Sequence, residues 1–366
     1  MQLTSLSLIN FKNYSEAQIA LSDGINVFVG DNGAGKTNLL DAIYYLCFCK
    51  SFLNPVDSQN IRGDEKFFLI QGMYEKEEKN IEISCSVQHG QKKKVKKNKK
   101  EYERLSEHIG LFPAVVISPY DTNLISEGSD TRRKFIDSII SQFDRTYLET
   151  LQRYNKVLEQ RNALLKQFYD HRIFDAETID VWDVQLIDLG KIIHEKRQNF
   201  LTEFIPVCQK YFDLIANKKE IVGIEYRSQL NECDFKSELK KNERKDMSTG
   251  YTSVGIHKDD LVLVIHDQPI KKFGSQGQQK SFLIALRLAQ FEIVSRLLNM
   301  KPILLLDDIF EKLDSNRSHT FLQKTMAEYP GQVIITDTEL SRCQEAFKGI
   351  HIQYLELQHD IQPNND

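Results

Sequence analysis

The sequence is short of the features that would announce a metal centre, a membrane span or a polycation. Its six cysteines, Cys47, Cys49, Cys85, Cys208, Cys233 and Cys343, form no C-x-x-C pair and do not cluster with histidines, which argues against a zinc site. No apolar run reaches the roughly 18 residues that a membrane span needs. The opening Met1-Gln2-Leu3-Thr4-Ser5-Leu6 lacks the basic and apolar regions of a secretory leader. A cytosolic protein with reduced thiols and no membrane partner is the expectation. Excess positive charge is missing too. With a net charge of −4, a global basic field cannot attract nucleic acid, and local patches would have to do so. What remains is an ordinary globular composition, 27% charged and 41% hydrophobic, over 366 residues. That length suits one large core domain with one accessory domain.

Leu3 to Asn10 and Ala17 to Leu21 alternate apolar and polar residues, as strands of a half-exposed sheet do. Ile25-Asn26-Val27-Phe28-Val29 is a short strand-like run that enters a glycine-rich turn, after which Asn38 to Phe48 carries apolar residues at helical spacing. From about Tyr147 the period lengthens. Leu151, Tyr154, Leu158, Leu165 and Phe168 fall on one seam, and Ile179 to Leu214 repeats the spacing, which predicts two long helices packed antiparallel. Pro206 is expected to kink or split the second. Strand-like sequence returns at Ile221 to Tyr226 and Asp260 to His266. The fold class expected is α/β, a P-loop sheet with helices forming a head from residues 1–118 and 219–366, with an inserted, mostly helical lobe over 119–218.

Gly30-Asp31-Asn32-Gly33-Ala34-Gly35-Lys36-Thr37 fits G-x-x-x-x-G-K-[ST] between a strand and a helix, where a phosphate-binding loop must lie. Backbone N–H groups and the positive helix end would cradle phosphates, Lys36 would reach the β/γ-phosphates, and Thr37 would ligate Mg²⁺. Ile303-Leu304-Leu305-Leu306-Asp307-Asp308 is an apolar run ending in two carboxylates, the Walker B pattern of a buried parallel strand. Asp307 would hold the metal and Asp308 would orient or deprotonate the attacking water. Between these motifs, Phe273-Gly274-Ser275-Gln276-Gly277-Gln278-Gln279-Lys280-Ser281 precedes a helical run, with Ser275 as its N-cap. This segment resembles the signature motif of ABC-type ATPases, whose serine faces the nucleotide of the other protomer.

The chain as a whole resembles the RecF family of bacterial recombination mediators. The resemblance rests on Asn10-Phe11-Lys12-Asn13-Tyr14, Gly30 to Asn38, Ser118-Pro119, Arg132-Arg133-Lys134-Phe135-Ile136-Asp137, Thr252 to Leu261, the signature, and Asp307 to Asp314, in the family's order along nearly the whole sequence. It implies an ABC-type head that binds ATP and Mg²⁺, dimerises on ATP and binds double-stranded or gapped DNA. It further implies weak, DNA-stimulated hydrolysis, and help in loading recombinase with RecO- and RecR-type partners. Carried over by residue, Lys12, Asn13 and Asn38 would lie by the nucleotide with the loop residues Gly30, Asn32, Gly33 and Gly35. Ser275, Gly277 and Gln278 would act across the dimer, and Asp314 would be the D-loop aspartate. Lys12 stands where the family usually has arginine, and Asp337 where many ABC ATPases place a switch histidine.

Two basic clusters are candidates for DNA contact. Seven lysines occupy nine positions over Lys92-Lys93-Lys94-Val95-Lys96-Lys97-Asn98-Lys99-Lys100, suited to neutralising backbone phosphates or to guarding a sheet edge. Arg132 and Arg133 begin the helical lobe, where they are either free for phosphate or paired within the protein. No aromatic residues interleave either cluster, which favours duplex backbone over stacked single strands. A P-loop kinase would not need the signature. In a transporter-type ATPase subunit, the signature would follow the P-loop more closely than Ser275 follows Lys36.

Overall fold

The computed structural model describes residues 1–172, 175–216, 220–308, 331–346 and 351–357. By packing, the chain divides into two compact units, Met1–Asp121 with Leu286–Asp366, and Thr122–Ala285.

The first unit holds two sheets and the helix between them. Strands β1 (Gln2–Phe11), β2 (Tyr14–Ala20), β4 (Phe67–Lys76), β5 (Lys79–Gln88), β6 (Lys94–Lys97) and β7 (Lys100–Glu101) form an antiparallel sheet in the order β2-β1-β4-β5-β6-β7. The second sheet is parallel, in the order β14-β3-β13-β12-β8, from β3 (Ile25–Val29), β8 (Ala114–Ile117), β12 (Ile303–Asp307), β13 (Val333–Asp337) and β14 (Ile352–Glu356). Helix α1 (Lys36–Phe48) packs on β1, β4 and β5 of the first sheet and on β8, β12 and β13 of the second. Burial on all sides explains why Leu39, Leu40, Ala42, Ile43, Tyr45, Leu46 and Cys47 leave it no polar face. One core joins Leu3, Leu6, Ile70 and Ile83 of one sheet to Phe28, Val116, Leu305 and Ile334 of the other through this helix.

The second unit contains α2 (Asn123–Ser126), α3 (Ser129–Phe143), α4 (Arg145–His171), α5 (Ala176–Ala216), α6 (Phe235–Thr249) and α7 (Ile270–Phe273). It also holds a sheet of β9 (Val222–Arg227), β10 (Asp260–Ile265) and β11 (Gln268–Pro269) in the order β11-β10-β9, and the start of α8 (Gln276–Leu298). Here the packing departs from the boundary expected at 219, the division falling instead between Ala285 and Leu286. Strand β9 packs on α5 and β10 on α3, so these strands belong with the helices and not with the head. Helical period marks where an element stops, not which core it joins. The expected split at Pro206 does not occur either, since α5 runs through it as one helix of 41 residues. Pro206 is exposed, so the N–H it lacks leaves no buried group unsatisfied. Helices α4 and α5 pack against each other, as their apolar seams require.

Candidate nucleotide-binding site

Strand β3 ends at Val29, and the loop from Gly30 to Gly35 connects it to the start of α1. Parallel sheets of this kind receive ligands at the carboxyl ends of their strands. Gly35 has φ 98°, and a Cβ there would run into the Asn13 side-chain amide, so only glycine satisfies both backbone and space. The loop is held from β1 and β2. Tyr14 donates its hydroxyl to Gly35 O at 3.1 Å, and Asn13 Nδ2 donates to Ala34 O at 3.4 Å. Asn13 Oδ1 in turn accepts from Asn38 Nδ2 at 2.8 Å. Burial pushes the Tyr14 phenol well above its ordinary value, which keeps it a donor. Lys36 is buried, and its ammonium donates to Gly30 O at 2.7 Å and Asp31 O at 2.9 Å. A buried cation inside a glycine loop at the positive end of a helix is an anion site.

Strand β12 is buried along its length and delivers Asp307 to the same edge of the sheet. Thr37 Oγ1 donates to Asp307 Oδ1 at 3.0 Å and lies 3.2 Å from Oδ2, joining residues 270 apart in sequence. A hydroxyl and a carboxylate from facing elements are hard oxygen donors of the kind Mg²⁺ takes beside a phosphate. The loop, the buried ammonium and this oxygen pair fit a nucleoside triphosphate with its metal. Asp308 follows with φ 46°, and its amide donates to Thr336 O at 3.2 Å. The strand between β3 and β12 is β13, and Gly30 N donates to Asp337 O at its end at 3.4 Å. The Asp337 carboxylate accepts from Glu339 N at 2.8 Å and from Arg342 Nη2 at 2.9 Å.

Lys12 is placed against α1, where its ammonium pairs with the fully buried Asp41 at 2.6 Å. Asp41 also takes Ser51 Oγ at 2.6 Å and Phe52 N at 2.8 Å, fixing the segment after α1. Lys12 therefore braces the P-loop helix. Gln59 is exposed on the short 3-10 helix Asp57–Asn60. Asp314 and the Glu311-Lys312-Leu313 before it lie outside the described residues. Asn32 and Gly33 are exposed in the loop.

The signature residues belong to the second unit. Ser275 Oγ accepts from Gln278 N at 3.2 Å while Gln278 Oε1 accepts from Ser275 N at 2.6 Å, a reciprocal capping box that starts α8. Ser275, Gln276 and Gly277 are exposed, so the first turn presents its free N–H groups to solvent.

The lysine run forms the edge of the antiparallel sheet. Strands β6 and β7 pair around Asn98-Lys99, both at positive φ, 49° and 67°, as a tight two-residue hairpin turn requires. Lys92, Lys94, Lys99 and Lys100 are exposed and Lys96 and Lys97 half-buried. Lys93 is different. Its ammonium bonds Asp57 Oδ2 at 2.8 Å, the Cys49 carbonyl at the end of α1, and lies 5.3 Å from the Tyr45 ring centroid. Arg132 is committed as well: Nε and Nη2 form a fork on Asp260 at 2.8 and 3.0 Å, and Nη1 bonds Leu124 O and Glu127 O. Arg133 bonds Ser129 Oγ at 2.7 Å and Asp259 O at 2.6 Å. Buried Arg197 completes the clasp, pairing with Asp137 at 2.9 Å and Asp259 at 3.0 Å. The segments Arg132 to Asp137 and Gly255 to Leu261 thus hold each other. Sequence reading missed Asp41 and Thr336; a polar residue ending an otherwise apolar parallel strand, as Asp307 does, was the signal for Thr336.

Among the described residues no helix is long and apolar enough to cross a membrane. The RecF/RecN/SMC N-terminal domain family matches residues 2–358. The chain is 51% identical over 354 residues to the DNA replication and repair protein RecF of Flavobacterium johnsoniae, covering 97% of this chain and 99% of that protein. It is 45% identical over 355 residues to the RecF of Bacteroides thetaiotaomicron, covering 97% and 95%. Among solved structures it is similar to the recombination mediator protein RecF-ATPrS in the RecFOR pathway, with TM-score 0.86, 29% identity and coverage of 97% and 96%. An Smc head domain from Pyrococcus furiosus shares the fold at 17% identity and TM-score 0.54, covering 98% and 94%. The α/β architecture is that of ABC-type ATPase heads. The chain belongs to the RecF family of DNA replication and repair proteins.

Proposed function

We propose that this chain is a DNA-binding ABC-type ATPase that dimerises on ATP and acts in recombinational repair of gapped DNA, helping to load recombinase with RecO- and RecR-type partners. The observation that carries the nucleotide reading is the Thr37–Asp307 contact, which unites the P-loop with the carboxylate ending β12. Gly30, Asn32, Gly33, Gly35 and Lys36 bind the phosphates, with Asn13 and Asn38 bracing the loop and Lys12 bracing α1. Thr37 and Asp307 hold Mg²⁺, which when bound neutralises phosphate charge. Asp308 orients the attacking water and takes up its proton. Ser275, Gly277 and Gln278 cap the nucleotide of a partner protomer with the exposed donors of α8, and Asp314 acts beside them. Hydrolysis is weak, DNA-stimulated and works as a switch. The exposed lysines of the β6–β7 edge supply the DNA contact, and names carried by relatives support the repair role.

The test uses two single variants and their mixture. Lys36→Met removes the cation that meets the phosphates and abolishes both turnover and ATP-dependent dimerisation. Ser275→Arg leaves ATP binding intact but blocks dimerisation, seen by light scattering. Mixing the two restores part of the activity, because a heterodimer has one site built entirely from unsubstituted parts. Normal turnover in Ser275→Arg alone would leave a monomeric P-loop enzyme as the better reading.

A further inference from the structure

Thr336 has no place in the P-loop, Walker B or signature motifs, yet its hydroxyl lies between the two aspartates of the nucleotide site. It is fully buried near the carboxyl end of β13. Parallel register sets it beside Asp307 on one side and Phe28 on the other, so it occupies the middle of the edge that carries the site. Its Oγ1 lies 2.9 Å from Asp307 Oδ1, 3.3 Å from Asp308 N and 3.4 Å from Leu306 O. A threonine hydroxyl has a single proton. The shortest contact assigns that proton to Asp307, which leaves a lone pair to accept from the Asp308 amide. That amide also donates to Thr336 O.

Each bond acts on a different carboxylate. Asp307 Oδ1 receives Thr37 Oγ1 at 3.0 Å from α1 and Thr336 Oγ1 at 2.9 Å from β13, so hydroxyls from two elements fix the plane of the carboxylate. Asp308 has φ 46°, a left-handed conformation that is unfavourable for a non-glycine residue and persists only when its surroundings hold it. Among the described bonds of its amide, both acceptors belong to Thr336. We infer that Thr336 is a positioning residue for hydrolysis: its hydroxyl orients Asp307 toward the metal and, through the Asp308 amide, fixes the turn that aims Asp308 at the water. The inference rests on the nucleotide-site reading above. Thr336 is fully buried and its hydroxyl contacts are with Asp307, the Asp308 amide and Leu306 O, so its removal is expected to act on metal dependence and turnover rather than on the phosphate cradle.

Thr336→Val keeps the shape and removes the hydroxyl, and Thr336→Ser keeps the hydroxyl and removes a methyl. The Val variant is expected to lose about 10-fold or more in kcat, the effect of one lost buried hydrogen bond on the transition state. Its affinity for a fluorescent ADP analogue without Mg²⁺ stays unchanged, and the Mg²⁺ concentration that half-saturates the metal-dependent binding signal rises several-fold. Thr336→Ser restores both readouts. Unchanged turnover and Mg²⁺ dependence in Thr336→Val overturn the inference. So does a Ser variant as impaired as the Val one, or an equal loss of Mg²⁺-free binding in both, since these results assign the residue to packing. If Thr336→Val does not fold, Thr336→Ala is judged by the same criteria. Absence of nucleotide binding in the unsubstituted protein would remove the site reading along with the inference, whereas normal binding there with a normal Val variant removes the inference alone.

Discussion

The lysine run and the arginine pair read alike in the sequence and differ in the fold. Arg132 spends its guanidinium on Asp260 and two backbone carbonyls, and Arg133 on Ser129 and the Asp259 carbonyl. In the run, Lys92, Lys94, Lys99 and Lys100 extend from a sheet edge into solvent, and Lys93 alone is tied inward to Asp57. Density of like charge is therefore a poor guide to a nucleic-acid surface; what counts is whether each cation already has an internal counter-ion. Arginine's planar fork matches a carboxylate in two bonds, which suits it to an internal clasp, while hydrated lysine ammonium groups remain available to phosphate.

Four measurements would break or sharpen this contrast. The largest effect is expected from Arg132→Ala, which leaves the half-buried Asp260 and two carbonyls without their donor and should cost about 3 kcal/mol of stability. Chemical denaturation reads this, and the salt dependence of DNA binding should not move. Next is acid. His108 is fully buried beside Tyr102, and burial pushes its pKa down to about 4. Nε2 donates to Leu46 O at 2.6 Å, so Nδ1, 3.2 Å from the Tyr102 hydroxyl, is the acceptor and the ring is neutral. Since the unfolded chain protonates first, the stability from this residue is complete above about pH 6.5 and is lost as pH falls from there toward 4, amounting to about 3 kcal/mol. His108→Gln should flatten that part of the pH–stability profile. Third, Lys93→Ala should lower stability by about 1–2 kcal/mol, because Asp57 and the Cys49 carbonyl lose their cation. It should leave the salt slope of DNA binding unchanged. Smallest in stability, within about 0.5 kcal/mol, is the joint replacement of Lys92, Lys94, Lys99 and Lys100 by alanine. That variant should instead flatten the log–log salt dependence of duplex binding by about 0.9 for each phosphate that is no longer neutralised. A large stability loss with an unaltered slope would make the run a structural edge and reverse the contrast.

The parts of the molecule legible in the sequence are those whose signal is local. Strands β1 and β3, helix α1, the P-loop and the Asp307 strand each follow from alternation, glycine spacing or an unbroken apolar run within a few residues. The Arg132–Asp260 fork was not legible, because its partners lie 128 residues apart and only tertiary packing joins them. Membership of β9 to β11 in the second unit failed for the same reason. Lys93 is an intermediate case. Val95 is buried, and alternation places Lys93 and Lys97 on its covered face, so the period-2 rule could have removed Lys93 from the DNA-contact set. For the site, Asn13 beside Gly35 was expected from family resemblance alone, whereas Lys12 is taken by Asp41, a buried helix residue that no motif marks.

Strand order in the parallel sheet has a consequence for how the chain is made. Strand β3, which launches the P-loop, lies between β13 and β14, which begin only at Val333 and Ile352. On the ribosome it must wait without a backbone partner on either side while some 300 further residues emerge, a delay of roughly 15–60 s at ordinary bacterial elongation rates. Nascent chains stalled before Val333 would then have the glycine loop complete in sequence, with Tyr14 and Asn13 available to hold it, while β3 still lacks both of its strand partners, so the parallel-sheet side of the nucleotide site forms only after β13 has emerged. Pairing of such large sequence separation is also intrinsically slow to form.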